Sequence, residues 1–245
     1  TMRNYIMALC LTFIISSCTT LYIPNRINVP ELQKKGDLRA SAAVGLGGFN
    51  FQTAYAVNKN LGILANYYNT ESRDYHTHFL YGGAAGLEVG AGYYHAPKSF
   101  ILESYGTLGM GSLYHRSQDN DINNLSYIHK LDADFWRVGL QSSATLRDDL
   151  VSLSVMFRFN QMNYYNITSS VDGQNDILAH RLRADNTHYF AEPGVQAGLG
   201  YKYIRFNAQL HRSFHLGQSW FPFDRYHYSV GMQVGFGVFK KSAER

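Results

Sequence analysis

Apolar and polar side chains alternate at every second position in the last predicted strand, residues 226–239. Successive side chains of a β-strand point to opposite faces, so this pattern predicts one apolar face and one polar face. The polar face is rich in glycine, including Gly231 and Gly235, and the apolar face carries aromatic residues. The same alternation recurs in long segments along the chain, which is typical of a transmembrane β-barrel.

The alternation predicts ten strands, joined by connections that are alternately short and long after the first hairpin. Outer-membrane barrels have an even number of antiparallel strands, short periplasmic turns and longer external loops. The pattern therefore predicts an all-β fold, an up-and-down antiparallel barrel of about ten strands, with both chain termini in the periplasm. The predicted strands cover residues 37–46, 49–57, 61–69, 79–94, 100–115, 127–147, 150–166, 187–201, 203–215 and 226–239.

Composition and charge argue against an ordinary soluble domain, a nucleic-acid partner and a membrane-spanning helix. Aromatic residues make up 15% of the 245 residues and charged residues 16%, whereas soluble domains contain about 25% charged residues. The net charge of +4 comes without a polybasic run, so nucleic acid is not an expected partner. No apolar run in the sequence reaches the roughly 20 residues of a membrane-spanning helix.

The start of the chain has the features of a secretory signal. A short basic start precedes an apolar core over residues 5–15. Ile15, two serines and Cys18 come next, in an order that resembles the lipobox of bacterial lipoproteins. The resemblance implies that Cys18 is the lipid-attachment residue and that Cys10 is removed, which leaves no intrachain disulfide. The alternative is an ordinary signal peptide in which Cys18 has no role.

The lipobox and the strands together predict the domain organisation. Residues 1–17 are predicted to be a lipoprotein signal peptide, residues 18–36 a lipid-anchored linker, and residues 37–245 the barrel domain. The linker prediction rests on Pro24, Pro30 and two lysines in this stretch. The whole chain resembles small outer-membrane β-barrel proteins of bacteria. This resemblance implies outer-membrane lipid as a partner and, in one interpretation, other outer-membrane proteins.

Six charged residues fall at mid-strand on the glycine-rich inner faces of the predicted strands. A buried charge without a partner is too costly to retain, so we expect these residues to form an ion-paired network in the lumen. Barrels of about eight strands are filled by side chains, and wide aqueous channels need about sixteen. A plug is therefore the leading interpretation, and a narrow ion or solute path is the alternative. The residues are Glu88, Glu103, Arg137, Arg158, Glu192 and Arg205.

One short pattern is compatible with catalysis. His211 and Ser213 share a strand face and resemble the His-x-Ser motif of outer-membrane lipid A deacylases. Under this alternative His211 is the base, Ser213 the nucleophile and Asp224 the orienting acid, although that family uses glutamate in the last role. The other histidines have no diagnostic metal-ligand spacing, so no metal and no cofactor are expected.

The leading functional hypothesis is a non-enzymatic outer-membrane barrel that presents external loops or belongs to a larger outer-membrane complex. The alternatives are a lipid-modifying hydrolase and a narrow pore. A hydrolase requires a base, a nucleophile and an acid within hydrogen-bond reach at one surface. A pore requires a continuous lumen, and a scaffold requires neither of these features.

Overall fold

The computed structural model of the protein describes residues 20–45, 47–74, 80–120, 126–170, 177–201, 203–217 and 221–236. Ten long strands form one closed antiparallel barrel, in which each long strand pairs with the next and the last pairs with the first. The predicted all-β, up-and-down barrel of about ten strands is therefore confirmed.

Most strands begin and end close to the predicted positions. Three of them, at 61–74, 100–120 and 151–169, run several residues further, because backbone pairing continues where polar side chains interrupt the apolar pattern. Residues 237–239 of the last predicted strand lie outside the described residues. The strands are β1 (Leu38–Gly45), β2 (Gly48–Ala56), β3 (Leu61–Asp74), β4 (Leu80–His95), β5 (Phe100–Asn120), β6 (Ser126–Arg147), β7 (Val151–Ser169), β8 (Thr187–Tyr201), β9 (Ile204–Arg212), β10 (Phe214–His215) and β11 (Tyr226–Gly235).

The two-residue strand β10 continues β9 after a short interruption that lies opposite Pro193 of β8. Gly194 pairs with His211 and Ala191 pairs with Phe214, so the register is the same on both sides of the gap. Proline has no backbone N–H to donate to a ladder, which accounts for the gap. The predicted single strand over residues 203–215 is thus two strands with one shared direction and register.

The inward and outward faces follow the predicted alternation. Outward positions carry large apolar side chains, among them Met110, which is 67% exposed, and Leu146, which is 63% exposed. Inward positions carry serine, asparagine, glutamine and charged side chains, and these are buried. An apolar outer surface around a polar interior is the reverse of the arrangement in soluble domains.

The barrel has two different ends. At one end, which we call the turn end, the described connections 57–60, 96–99 and 148–150 are short. We call the other end the loop end. There, helix α1 (Ile177–Ala184) lies in the connection between the strands predicted at 150–166 and 187–201, where no helix was predicted. It packs onto an apolar cluster. Among the described residues, no helix is both long enough and apolar enough to cross a membrane.

Residues 20–32, which we call the luminal segment, run through the interior of the barrel. Every residue of this segment is buried, and Glu31 and Leu32 are 0% exposed. These residues fall within the predicted linker over residues 18–36, and their polar groups contact the barrel wall instead of solvent. Residues 1–19, which include the predicted signal peptide and Cys18, lie outside the described residues.

The two ends of the described chain lie at opposite ends of the barrel. The carbonyl of Thr20 lies beside Gly82, near the start of β4 at the loop end. Phe236 follows β11 at the turn end, where its N–H donates to the carbonyl of Leu38 at 2.9 Å. The luminal segment crosses the barrel before β1 begins. The expectation that both chain termini lie in the periplasm concerns residues 1–19 and 237–245, which lie outside the described residues.

Candidate functional site

Tyr22 holds the luminal segment at the loop end. Its ring stacks on Phe190 with the ring centroids 4.0 Å apart, and its hydroxyl donates to Glu192 Oε1 at 2.7 Å. Its backbone carbonyl accepts from the N–H of Asp224 at 2.9 Å. These contacts join the luminal segment to an apolar cluster that also includes α1 and fills this end of the lumen.

Arg26 holds the luminal segment in the middle of the lumen. Its guanidinium donates to Gln196 at 2.8 Å, to Asn207 at 2.7 Å and to Ser229 at 2.9 Å. These three acceptors stand on β8, β9 and β11, so one side chain ties three strands to the segment. All three acceptors are neutral, so polar dipoles stabilise the buried charge of Arg26 at these contacts.

Side-chain amides of the wall bind the backbone of the luminal segment. A buried backbone must find hydrogen-bond partners, and apart from one bridge at Tyr22 the described strands do not pair with the segment. At Ile27 the N–H donates to Gln209 Oε1 and the carbonyl accepts from Gln209 Nε2, both at 2.9 Å. A side-chain amide carries both donors and an acceptor, so Gln209 satisfies both backbone groups of Ile27, as a neighbouring strand would do in a sheet. The amides that bind the backbone are Asn50, Gln52, Gln141, Gln209 and Gln233.

Two glutamates fix the luminal segment near the turn end. Glu103 of β5 accepts from the backbone N–H groups of Glu31 and Leu32, each at 3.1 Å. Glu31 in turn accepts from Arg147 at 2.8 Å and from Ser152 at 3.0 Å. The segment is therefore bound to the wall at both of its ends and at its centre.

Four of the six predicted network residues form two ion pairs. Arg137 lies 2.6 Å from Glu88, and Arg158 lies 2.5 Å from Glu192, with all four side chains buried. Both arginines also bind Asn25 of the luminal segment. Arg137 donates to its side-chain oxygen at 2.8 Å, and Arg158 donates to its backbone carbonyl at 2.9 Å. The segment thus supplies the additional acceptors that a buried ion pair needs.

The other two predicted network residues have different partners. Glu103 binds the backbone N–H groups of the luminal segment. Arg205 donates to carbonyl oxygens of the turn at residues 148–149, at the turn end of the barrel. Glu192 is directly opposite Arg158 in the β7–β8 register, and these two residues form the ion pair.

The candidate hydrolase residues come together only in part. The Ser213 hydroxyl donates to Glu192 at 2.7 Å rather than to His211. His211 stacks on His227 with ring centroids 4.9 Å apart, and neither of its ring nitrogens has a hydrogen-bond partner among the described residues. Asp224 is bound to the luminal segment through its backbone N–H. Ser213 and His211 are each only 1% exposed, whereas a nucleophile needs a bond to its base and access to substrate.

Two other sequence predictions concern a metal and a lipid. Within the described residues, no three His, Cys, Asp or Glu side chains converge as a metal site requires. His188 and His215 lie 3.2 Å apart, ring nitrogen to ring nitrogen, at the loop end. Cys18, the predicted lipid-attachment residue, lies outside the described residues, so the lipobox stays a prediction.

The chain was compared with known protein families and with curated protein sequences. No family model matches it, and no curated sequence matches it either. Its function is therefore inferred from the geometry of the filled lumen and of the outer surface.

The Arg158–Glu192 pair generates a stability prediction. We expect Arg158→Met to lower the free energy of unfolding by about 3–5 kcal/mol, because Glu192 is left charged and buried. The double variant Arg158→Met/Glu192→Gln keeps an acceptor for Ser213 without the charge, so it should recover most of this loss. Urea unfolding of the refolded protein in detergent measures both quantities.

The matched control is Lys98→Met, which removes a cation from an exposed turn. This change should alter the free energy of unfolding by no more than about 0.5 kcal/mol. A double variant that is at least as unstable as Arg158→Met would show that charge burial does not govern this site.

Proposed function

We propose that the protein is a bacterial outer-membrane β-barrel whose lumen is closed by its own luminal segment. In this role it is a non-enzymatic envelope component that presents its loop end, alone or within a larger outer-membrane complex. One observation carries the proposal: an apolar outer surface surrounds a lumen that is occupied by the luminal segment, which is bound to the wall near both of its ends and at its centre. Lipid is the partner of the outer surface.

The outer surface supports a location in lipid. Large apolar side chains on different sides of the barrel are exposed, including Leu108 at 62% and Val230 at 60%. Soluble monomers rarely expose contiguous apolar patches larger than a few hundred Å². The closed barrel leaves no long strand unpaired, which is the condition for a β-structure to cross the hydrocarbon region.

Exposed tyrosines near both ends of the barrel fit the same proposal. Membrane barrels carry aromatic girdles where the hydrocarbon region meets the headgroups. Tyr93 and Tyr201 lie near the turn end, and Tyr81 and Tyr189 lie near the loop end. The turn end would face the periplasm, because short turns lie on that side in outer-membrane barrels.

The filled lumen supports a plug in preference to a pore. The diameter of a barrel grows with strand number, and about eight strands already leave room for side chains to fill the interior. Ten strands leave additional space, and the luminal segment occupies it. A solute passing through would have to displace the contacts of Asn25 and Arg26, and each broken contact leaves a buried polar group unsatisfied.

The apolar outer surface generates a prediction about membrane insertion. Val155 and Leu150 are similarly exposed, at 60% and 56%, but Leu150 lies in a turn at the turn end and Val155 lies within β7. Arginine near the centre of the hydrocarbon region costs about 2–4 kcal/mol and near its edge about 0–1 kcal/mol. We therefore expect Val155→Arg to destabilise the barrel in lipid vesicles far more than Leu150→Arg does.

The two arginine variants are compared by denaturant unfolding of protein folded into vesicles. Equal and small effects of both substitutions would contradict the proposed lipid contact, because an aqueous surface tolerates arginine at either position.

The filled lumen generates a prediction about conductance in planar bilayers. The unmodified protein should show no steady ion current. Glu31→Ala removes the partner of Arg147 and Ser152, so we expect it to produce intermittent current as the turn end of the segment loosens. Gln33→Ala is the matched control, because Gln33 is exposed and its bond to Asp37 uses only the backbone N–H. Steady current through the unmodified protein would favour the narrow pore.

A further inference from the structure

His211 and His227 form a stacked pair inside the barrel, beside the luminal segment. They stand directly opposite each other in the β9–β11 register, and their ring centroids lie 4.9 Å apart. Each residue is only 1% exposed. Neither ring nitrogen of His211 has a hydrogen-bond partner among the described residues, and Nε2 of His227 has none there either. Native structures rarely leave buried polar atoms unpaired, so this pair calls for a functional explanation.

The charged groups around the histidine pair disfavour a further positive charge. Arg158 of β7 and Arg26 of the luminal segment face the pair, and the carboxylate of Glu192 on β8 faces it as well. Glu192 already pairs with Arg158 and accepts from two buried hydroxyl groups. A proton taken up by the closed barrel would therefore place an imidazolium beside two guanidiniums. At His211 this imidazolium would have two N–H donors and no acceptor among the described residues.

The histidine pair lies next to the contacts that hold the luminal segment at its centre. Ser229, two residues from His227 on the same face of β11, accepts from the guanidinium of Arg26 at 2.9 Å. Gln209, two residues from His211 on the same face of β9, binds the backbone of the segment. Repulsion between a protonated pair and Arg26 would therefore act directly on the segment and on the strands that hold it.

We propose that the His211–His227 pair is a proton-sensitive gate: proton uptake by the pair releases the luminal segment from the wall and opens the lumen to ions. In the released state the rings are hydrated and bind protons as ordinary histidines do, with a pKa of about 6.5. In the closed state the rings are neutral. Because the proton binds the open state and not the closed one, a pH below about 6.5 favours opening. An ion path that opens in acid goes beyond the closed envelope component proposed above.

Linkage between proton binding and opening sets the size of the effect. Between pH 7.5 and 5.0, each histidine that is neutral in the closed state and free to titrate in the open state raises the opening constant about thirtyfold. A second pair, His188 and His215, lies at the loop end with ring nitrogens 3.2 Å apart and with Asp185 facing both rings. This pair and the luminal carboxylates also titrate, so the test compares a variant with the unmodified protein at each pH, where the contributions common to both cancel.

Hydrogen exchange at the backbone amides of Arg26 and Ile27 measures the opening of protein folded in detergent. Rates at pH 7.5 and 5.0 are divided by those of an unstructured chain at the same pH, which gives the opening constant. His211→Phe keeps a stacked ring and removes the titrating group, and no hydrogen bond to a described residue is lost. We expect the unmodified protein to open about thirtyfold more than His211→Phe at pH 5.0 and about equally at pH 7.5.

His95→Phe is the matched control, because His95 is exposed at the turn end. This variant should open as the unmodified protein does at both pH values. Equal opening of the unmodified protein and His211→Phe at pH 5.0 would overturn the inference. If His211→Phe does not fold, His227→Phe removes the other titrating ring and provides the same comparison, with the same expected difference.

Planar-bilayer recordings test the ion path, which rests on the proposed location in a membrane, whereas release of the segment in detergent does not. The unmodified protein should conduct at pH 5.0 and be closed at pH 7.5, and His211→Phe should stay closed at both. Acid-accelerated exchange without current at pH 5.0 would overturn the ion path. Steady current at pH 7.5 would contradict the closed lumen of the proposed function, and a barrel that stays closed with pH-independent exchange would contradict only the gate.

Discussion

The interior of this barrel buries many polar groups, and the luminal segment and the wall supply hydrogen-bond partners to each other, although some buried atoms, such as the ring nitrogens of His211, have no partner among the described residues. Arg26 of the segment is bound by acceptors on three strands, and wall amides bind the segment's backbone. In return, Asn25 completes both buried ion pairs of the wall. Because an unsatisfied buried group costs about 1–3 kcal/mol, this mutual dependence ties the fold of the barrel to the position of the segment.

The same contacts determine the surroundings of the candidate hydrolase residues. Ser213 is bound to Glu192, which also pairs with Arg158, and not to His211. At the loop end Tyr22, Phe190 and two residues of α1 belong to one buried apolar cluster. Tyr22 therefore connects the luminal segment both to the wall at Glu192 and to the apolar cluster at the loop end.

The period-two alternation predicted most of the fold from the sequence. One face of every strand points outward and the other points into the lumen, whichever strands lie beside it. The alternation placed all six network charges inside the barrel. It could not predict that Arg158 pairs with Glu192, because this depends on the stagger between strands. It also missed the luminal segment, which has no alternation and contains Pro24 and Pro30. The sequence signal that points to the segment is the set of asparagines and glutamines at inward mid-strand positions. Their amide groups supply hydrogen-bond donors and acceptors that a network of ion pairs does not need.

Amide hydrogen exchange of the folded protein tests the central claim most directly. The backbone N–H groups of Arg26 and Ile27 are buried and bonded to Asn50 and Gln209. If the luminal segment fills the lumen, these amides should exchange as slowly as amides in the centre of β5, because both are released only when the barrel opens. Exchange as fast as that of the exposed turn at residues 148–149 would contradict the account.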